Sequence, residues 1–319
     1  NSTFILYLIM ILAAKEVNVR TIVKLTCIIQ GAMLLSIVVM SQIGIIPDYI
    51  FDASTRQRHG LGFLWTTTGA ILYFYFMVLY IYLREERAHL IEYVILEAVN
   101  FGLYKLTDAR MSFYLSTLLL VYVYVMRFYW QNRKDRIRKN RLLIGAPAFF
   151  CILAVACQIF YIPTDARWQK INSVLSGRLE LGCFGWRDYG FSLLGTKIEW
   201  IGFSHNATAG AYNYVDCSYM QILLENGLIP LVIIIAVYTY IMYMAVKEKD
   251  FYLQTAVLLI TAFSITEPRL LNLAYNPLPF FGITYISLRG RSALFHREGH
   301  RLNRRVRFRT THVRLKARK

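Results

Sequence analysis

Five arginines lie in short polar segments beside the ends of long apolar runs, a costly place for a charge: Arg56, Arg58, Arg110, Arg178 and Arg269. A guanidinium group is permanently charged and pairs with phosphate oxygens through two hydrogen bonds. A single arginine in such a place more often pairs with a nearby carboxylate or a lipid phosphate. Five of them, on one side of a membrane, favour a site for a lipid-linked phosphate or pyrophosphate.

Three further side chains in these polar segments can accept a proton. Asp216 and Glu267 each lie where a polar segment returns to an apolar run, and a histidine such as His205 can act as a base near neutral pH. The carboxylates of these segments are scattered singly, without an Asp-x-Asp pair, so we expect chemistry that needs no metal ion. The motifs GxxxxGK[ST], GxGxxG, HExxH and CxxC do not occur in the sequence, which disfavours an ATP-driven pump, a nicotinamide enzyme and a zinc hydrolase.

The elements that must position these residues are long and apolar. The chain has 319 residues, of which 56% are hydrophobic, and its mean hydropathy of +0.41 is high for a soluble domain. Helices are expected throughout, because hydrocarbon offers no partner to an open strand edge. The predicted fold class is therefore all-α, a polytopic membrane bundle of about nine transmembrane helices. The predicted spans are residues 4–14, 22–46, 61–83, 89–105, 112–126, 142–162, 222–246, 252–266 and 270–288.

The distribution of charge predicts the orientation of these spans. The chain carries a net charge of +17, and the tail from Arg289 to Lys319 holds 12 Lys and Arg against the single acid Glu298. A second basic cluster lies at residues 127–141. Lys and Arg accumulate in cytoplasmic loops, so both clusters should be cytoplasmic, and alternation then places residues 47–60, 106–111, 163–221 and 267–269 outside.

This orientation defines the expected domain organisation. Residues 1–288 form one integral membrane domain with a large outer loop at about 163–221, and residues 289–319 form a basic cytoplasmic tail without fixed structure. No nucleic-acid-binding fold signature accompanies the tail, so we expect the lipid bilayer as the partner and no nucleic acid. The stretch 4–14 is too short to span a bilayer, and we expect further spans upstream of it.

Two local patterns predict the surroundings of the site. The apolar spacing of residues 171–179 suits a short amphipathic helix lying on the membrane, which would direct Arg178 along the surface to a head group. Glu97 and Asn100 share one face of the fourth predicted span, and a hydrogen bond to a neighbouring helix is favoured over a functional role for Glu97. Aromatic rings around Arg178 suit either sugar rings or interfacial anchoring, and the four are Trp168, Trp186, Tyr189 and Trp200.

Four short motifs resemble those of the Wzy-type polysaccharide polymerases, which extend O-antigen and capsule chains. In order they are Arg56-Gln57-Arg58-His59-Gly60-Leu61-Gly62-Phe63, Thr107-Asp108-Ala109-Arg110, Leu175-Ser176-Gly177-Arg178 followed by Phe191-Ser192-Leu193-Leu194-Gly195, and Tyr214-Val215-Asp216-Cys217-Ser218-Tyr219 followed by Leu223-Leu224-Glu225-Asn226-Gly227. Ala109 replaces the usual serine of the family, and Cys217 replaces the usual asparagine. The tail after Tyr285 has no counterpart in the family.

The resemblance implies a GT-C-like helical glycosyltransferase, shared with O-antigen ligases, in the bacterial plasma membrane. Its reaction would transfer a glycan from undecaprenyl pyrophosphate to another lipid-linked repeat unit, without a cofactor, beside a flippase and a chain-length regulator. The five arginines would hold the pyrophosphate, and Asp216, Glu267 or His205 would take the proton. His59 and Tyr219 would contact the substrate. The alternatives are an O-antigen-ligase-like transferase and a flippase, although a flippase should carry its charge in a central cavity between pseudo-symmetric halves.

Overall fold

The computed structural model describes residues 2–53, 56–132, 141–202 and 212–287. These residues are mostly helical. The helices are α1 (Ser2–Ala13), α2 (Val19–Gln42), α3 (Thr68–Arg84), α4 (Leu90–Thr107), α5 (Arg110–Asn132), α6 (Ala146–Ile159), α7 (Ala166–Val174), α8 (Arg178–Tyr189), α9 (Ser218–Glu225), α10 (Leu228–Lys247), α11 (Phe251–Phe263) and α12 (279–287). His205 and the predicted tail 289–319 lie outside the described residues.

Three stretches of helix are long and apolar enough to cross a membrane: Val19–Gln42, Arg141–Ile159, in which a 3-10 turn leads into α6, and Leu228–Lys247. They indicate that the chain associates with a membrane. α1 and α11, with 12 and 13 residues, are shorter than the roughly 20 residues that a bilayer core requires. α4 has 18 residues and includes Glu92, Glu97 and Lys105. The number of nine spans and their orientation stay predictions.

The described residues are mostly helical, as predicted, and add one small sheet that the sequence analysis did not predict. The strands β1 (Ile50–Ala53) and β2 (Arg56–His59) pair antiparallel, with Ile50 opposite His59. This hairpin lies between α2 and α3, in the first segment predicted to be outside.

The predicted span 222–246 is broken near its start. α9 ends at Glu225 and α10 begins at Leu228, because Gly227 adopts a φ of +95° that a helix cannot continue. The predicted span 270–288 is helical only from residue 279, after turns that follow α11. The second break, at residues 264–278, contains Glu267 and Arg269, so irregular backbone forms part of the candidate site.

The amphipathic helix predicted at 171–179 is also two elements. α7 ends at Val174, Ser176 and Gly177 both adopt positive φ, and α8 begins at Arg178. Leu179 and Cys183 of α8 are buried. Arg178 therefore belongs to the first turn of a helix that packs into the protein, and the expectation that it points along the membrane surface was wrong.

Helix α3 lies at the centre of the packing. Phe74, Tyr75 and Met77 are fully buried, and the ring of Phe74 lies 4.4 Å from that of Phe263 on α11. Large apolar side chains on the outer faces of other helices are exposed, for example Leu35 and Ile152. Such faces suit contact with lipid.

Polar groups inside the bundle are tied between helices. Asn100 of α4 donates to the Thr117 hydroxyl and the Phe113 carbonyl of α5, at 3.1 and 3.2 Å, and the Thr117 hydroxyl donates to Glu97 at 2.7 Å. These contacts confirm the expected hydrogen bonding between Glu97, Asn100 and a neighbouring helix. The start of α2 and the end of α3 lie together, away from the hairpin, and there Arg20 pairs with Glu85 at 2.8 Å.

Candidate functional site

The backbone between α11 and α12 is irregular but firmly held. The Ser218 hydroxyl, at the start of α9, donates to the Glu267 carbonyl at 2.5 Å and accepts from the Leu270 amide at 3.1 Å. The hydroxyl of Tyr238 on α10 donates to the Leu270 carbonyl at 2.9 Å. From the other side, the Gln30 amide of α2 donates to the carbonyls of Ala274 and Tyr275, both at 2.8 Å. Three helices thus fix the segment that carries Glu267 and Arg269.

Arg178 clamps this segment from the start of α8. Its Nε donates to the Thr266 carbonyl at 2.8 Å, and its Nη2 donates to Glu267 Oε1 at 2.9 Å. The Oδ2 atom of Asp216 lies 3.8 Å from Arg178 Nε. The side chains of Arg178 and Glu267 are only 15% and 7% exposed. One partly buried guanidinium therefore faces two carboxylates contributed by distant parts of the chain.

Burial sets the proton affinity of both carboxylates. Desolvation raises the pKa of Glu267 to about 7; the charge of Arg178 opposes this rise, Asp216 adds to it, and Arg269 also opposes it. Desolvation likewise raises the pKa of Asp216, against the effects of Arg178 and Arg269. A carboxyl group with a pKa near neutrality can exchange a proton at the pH where an enzyme works. Glu267 is thus suited to general-base chemistry.

Arg269 contributes a second positive charge to this centre. Its guanidinium carbon lies 5.1 Å from the centre of the Tyr275 ring, a cation–π contact. Its Nε is buried and has no hydrogen-bond partner among the described residues. A buried donor without a partner costs free energy, and no described residue offsets this cost at the Nε of Arg269.

Arg58 and Arg110 extend the positive region toward the end of α4. Arg58 Nε donates to the Thr107 carbonyl at 2.9 Å, at the negative end of the helix dipole. Desolvation lowers the pKa of Arg58, nearby Asp108 raises it, and the like charges of Arg178 and Arg110 lower it further. Arg110 is 56% exposed and pairs with Asp108 at 3.4 Å. Arg110 therefore pairs with a nearby carboxylate, which is the arrangement expected for a single arginine.

The remaining predicted residues lie apart from this centre or in structural roles. His59 Nδ1 lies 2.6 Å from Asp48 Oδ2. Tyr219 is fully buried and its hydroxyl donates to the Thr261 carbonyl at 2.6 Å, so it joins α9 to α11. Arg56 is the first residue of β2, and nothing further is described of its side chain.

Sequence reasoning missed two residues beside the charged centre, Ser218 and Tyr212, and one structural residue near the hairpin, Asp48. Asp48 orients the turn before α3, since its other oxygen accepts from the Leu61 amide at 2.7 Å. Ser218 belongs to one of the four motifs without a predicted role of its own, and it links α9 to the Glu267 carbonyl. Tyr212 is close enough to the centre that, after desolvation, the charge of Asp216 helps to raise its pKa to about 12. Of these three residues, only Tyr212 and Ser218 could have been identified from the sequence, because both are close to Asp216 along the chain.

The described ranges contain no group of three or more His, Cys, Asp or Glu side chains that could hold a metal ion. Comparison of the chain with protein-family models, with curated proteins and with solved structures finds no match. The membrane association and the geometry of the charged centre are therefore the basis for any functional proposal.

Proposed function

We propose that the chain is a metal-independent membrane glycosyltransferase that polymerises oligosaccharide repeat units linked to undecaprenyl pyrophosphate. The observation that supports it is the buried centre of Arg178, Asp216, Glu267 and Arg269, in which a carboxyl group with a near-neutral pKa stands beside guanidinium groups. Sugar transfer from a pyrophosphate donor requires both parts, a base for the acceptor hydroxyl and positive charge for the leaving group.

The residues divide the reaction between them. The acceptor hydroxyl oxygen attacks the anomeric carbon of the donor, and the bond from that carbon to the pyrophosphate oxygen breaks. The bonding electron pair leaves with the lipid pyrophosphate, which Arg58 and Arg269 stabilise. The proton of the hydroxyl passes to Glu267. Arg178 is a positioning residue, because its contacts with Thr266 and Glu267 hold the base in place.

The cellular setting belongs to the same proposal. The basic segments at residues 127–141 and 289–319 favour a cytoplasmic C-terminus and a multi-pass chain in the bacterial plasma membrane. The centre would then work on the outer face. A flippase would supply its lipid-linked substrate, and a chain-length regulator would limit its product.

The decisive test uses the purified chain in detergent micelles with a lipid-pyrophosphate-linked repeat unit. Micelles have no second leaflet, so a glycosyltransferase still makes a ladder of polymer whereas a flippase makes no product. We expect the ladder, and we expect Glu267→Gln to abolish it. The matched control is Glu248→Gln, directly after α10 and outside the centre. Substrate that binds but stays unextended would overturn the proposal in favour of transport.

A further inference from the structure

A cavity of about 240 Å³ lies next to the charged centre, and Arg269 is part of its wall. Its wall combines residues of α1, of the segment before α9, of α9 and of the segment after α11, among them Tyr7, Trp200, Tyr214, Gln221, Glu225 and Asn272. Sites for drug-sized ligands measure roughly 300–1,000 Å³. This cavity is smaller, and its size suits a single ring.

The wall offers aromatic faces on one part and hydrogen-bonding groups on another. The rings of Trp200 and Tyr214 meet edge to face, with centres 6.1 Å apart. Trp200 Nε1 donates to Glu225 Oε2 at 3.3 Å, which fixes the indole against α9. The amide side chains of Gln221 and Asn272 can each donate and accept. An aromatic face beside a carboxylate and amides matches the C–H face and the hydroxyl groups of a sugar ring.

Other ligand classes fit this wall less well. A hydrocarbon tail offers no hydrogen bonds to the side-chain amides of Gln221 and Asn272, whose burial under it would cost free energy. The cavity wall carries one carboxylate, Glu225, and one guanidinium, Arg269, so their charges balance and an anionic ring gains no net attraction. The chemistry of the wall therefore favours an uncharged sugar.

We infer that this cavity binds one uncharged monosaccharide ring, the terminal sugar of the acceptor chain. The assignment to the acceptor rests on the proposed function, since Arg269 lines the cavity and also acts on the charge of Glu267. A sugar held against Trp200 would lie beside Arg269, which lines the cavity and also belongs to the charged centre. Trp200 would select the ring, and Glu225 with Gln221 would select its hydroxyl pattern.

The test measures sugar binding without any lipid-linked substrate. Saturation-transfer NMR on the full chain in micelles uses four uncharged probes, the methyl glycosides of glucose, galactose, mannose and N-acetylglucosamine, and methyl glucuronide as a charged comparison. At least one uncharged probe should bind, and Trp200→Ala should raise its Kd about fivefold, since a stacked aromatic face contributes about 1 kcal/mol. Trp200→Phe should restore most of the binding because it keeps an aromatic face.

The matched control is Trp168→Ala. Trp168 belongs to the same predicted loop but does not line the cavity, and its ring packs on that of Tyr161 with centres 6.0 Å apart. It should bind like the unaltered chain. Gln221→Leu provides a second variant should Trp200→Ala fail to fold, and it should also weaken binding. Absence of binding by all four probes, equal losses in Trp168→Ala and Trp200→Ala, or equal binding of the glucuronide would each overturn the inference.

The two proposals fail separately. Trp200-dependent binding in a chain that makes no polymer would keep the sugar cavity and remove the polymerase. Polymer formation without Trp200-dependent binding would keep the polymerase and remove the cavity as its acceptor subsite.

Discussion

Two arginines of the candidate site show how burial changes the role of one residue type. Arg110 pairs with Asp108 on the surface, where water and salt weaken an ion pair until it contributes little. Arg178 is mostly buried and bonds both a backbone carbonyl and the Glu267 carboxylate. Charge-assisted hydrogen bonds in such a place are strong, and losing one leaves a buried group without its partner. The forked geometry of the Arg178 guanidinium, as well as its charge, should therefore matter for activity.

Replacing Arg178 with lysine tests that shape. Lysine keeps the charge but cannot bond Thr266 and Glu267 with the same fork, so Arg178→Lys should lose about 1.5–3 kcal/mol of interaction. In rate, this is roughly a ten- to hundredfold loss. The measurement is the initial rate of polymer formation by purified protein of unchanged unfolding temperature. Arg187→Lys, an exposed arginine of the same helix, should keep full activity; full activity of Arg178→Lys would assign Arg178 no role beyond its charge.

The pH dependence of the rate should report the ionisation of Glu267. Burial raises its pKa to about 7, so the carboxyl group becomes protonated, and ceases to be a base, as the pH falls through that value. The value of kcat/KM should therefore decline on the acid side with an apparent pKa of about 7, and stay constant just above it. A rate that stays constant from pH 7 down to pH 5 would exclude Glu267 as the base.

Asp216 offers a check on that assignment. Its negative charge is one cause of the raised pKa of Glu267, after burial. Asp216→Asn removes the charge, so the acid limb of the pH profile should move to lower pH, whatever happens to the maximal rate. Asp188→Asn, at an exposed position of α8, should leave the limb where it is. A limb that does not move in Asp216→Asn would mean that a different group titrates.

At the scale of elements, the junction between α9 and α10 decides where the wall of the site lies. The amides of Leu228 and Ile229, which open α10, donate to the carbonyls of Ser192 and Leu193 at 3.0 and 3.1 Å. The first turn of a helix has free amides, and the segment before Thr196 satisfies two of them. This approach is possible because Gly227 has no side chain, since a Cβ there would lie 2.4 Å from the nitrogen of Gly195.

Gly227→Ala should therefore destabilise the fold. The φ of +95° strains any residue with a side chain, and the added carbon would collide with backbone rather than with a flexible side chain. We expect a loss of more than about 1 kcal/mol, seen as a lower unfolding temperature in scanning fluorimetry. Gly102→Ala is the control, because a Cβ in that helix meets nothing within 4 Å and alanine favours helix. Equal unfolding temperatures for the two variants would contradict the described junction.

At the scale of the whole molecule, the sidedness of the chain is the premise of the proposed function. In a chain whose five cysteines are replaced, a new cysteine at Ser173 of α7 should react with a membrane-impermeant maleimide in intact cells. A cysteine at Asn132, beside the basic segment, should react only after the membrane is permeabilised. Reaction at Asn132 in intact cells would reverse the predicted orientation and place the charged centre on the cytoplasmic side.

The source of positive charge for the leaving group is the second property of the whole molecule that can be tested. Many sugar transferases place a divalent cation on the pyrophosphate, whereas the proposed reaction uses Arg58 and Arg269. Polymerisation should therefore continue undiminished in excess EDTA, measured as polymer per minute with purified components. A loss of activity that Mg²⁺ or Mn²⁺ restores would mean that the carboxylates of this chain bind a cation.

Much of the architecture could be read from the order of residues. Long apolar runs predicted helices because hydrocarbon leaves backbone groups no other partner, and α2, the α6 region and α10 have the required length. The sequence also predicted which charged residues belong to a site. An arginine beside an apolar run is costly, so its presence there indicates a function. The sequence predicts Arg58, Arg178, Asp216, Glu267 and Arg269 as site residues, and the structure brings the last four together.

Only the tertiary structure decided what these residues do to one another. Nothing in the sequence shows that Arg178 bonds Glu267, since the two are 89 positions apart and their contact depends on how α8 and the segment after α11 pack. The near-neutral pKa of Glu267 comes from burial, which pattern along the chain does not measure. Tyr219 lies in the same motif as Asp216 yet is buried against α11, because it belongs to α9 whereas Asp216 precedes that helix. Sequence spacing determines which residue types recur along an element. Packing determines which side chains come into contact and how deeply they are buried.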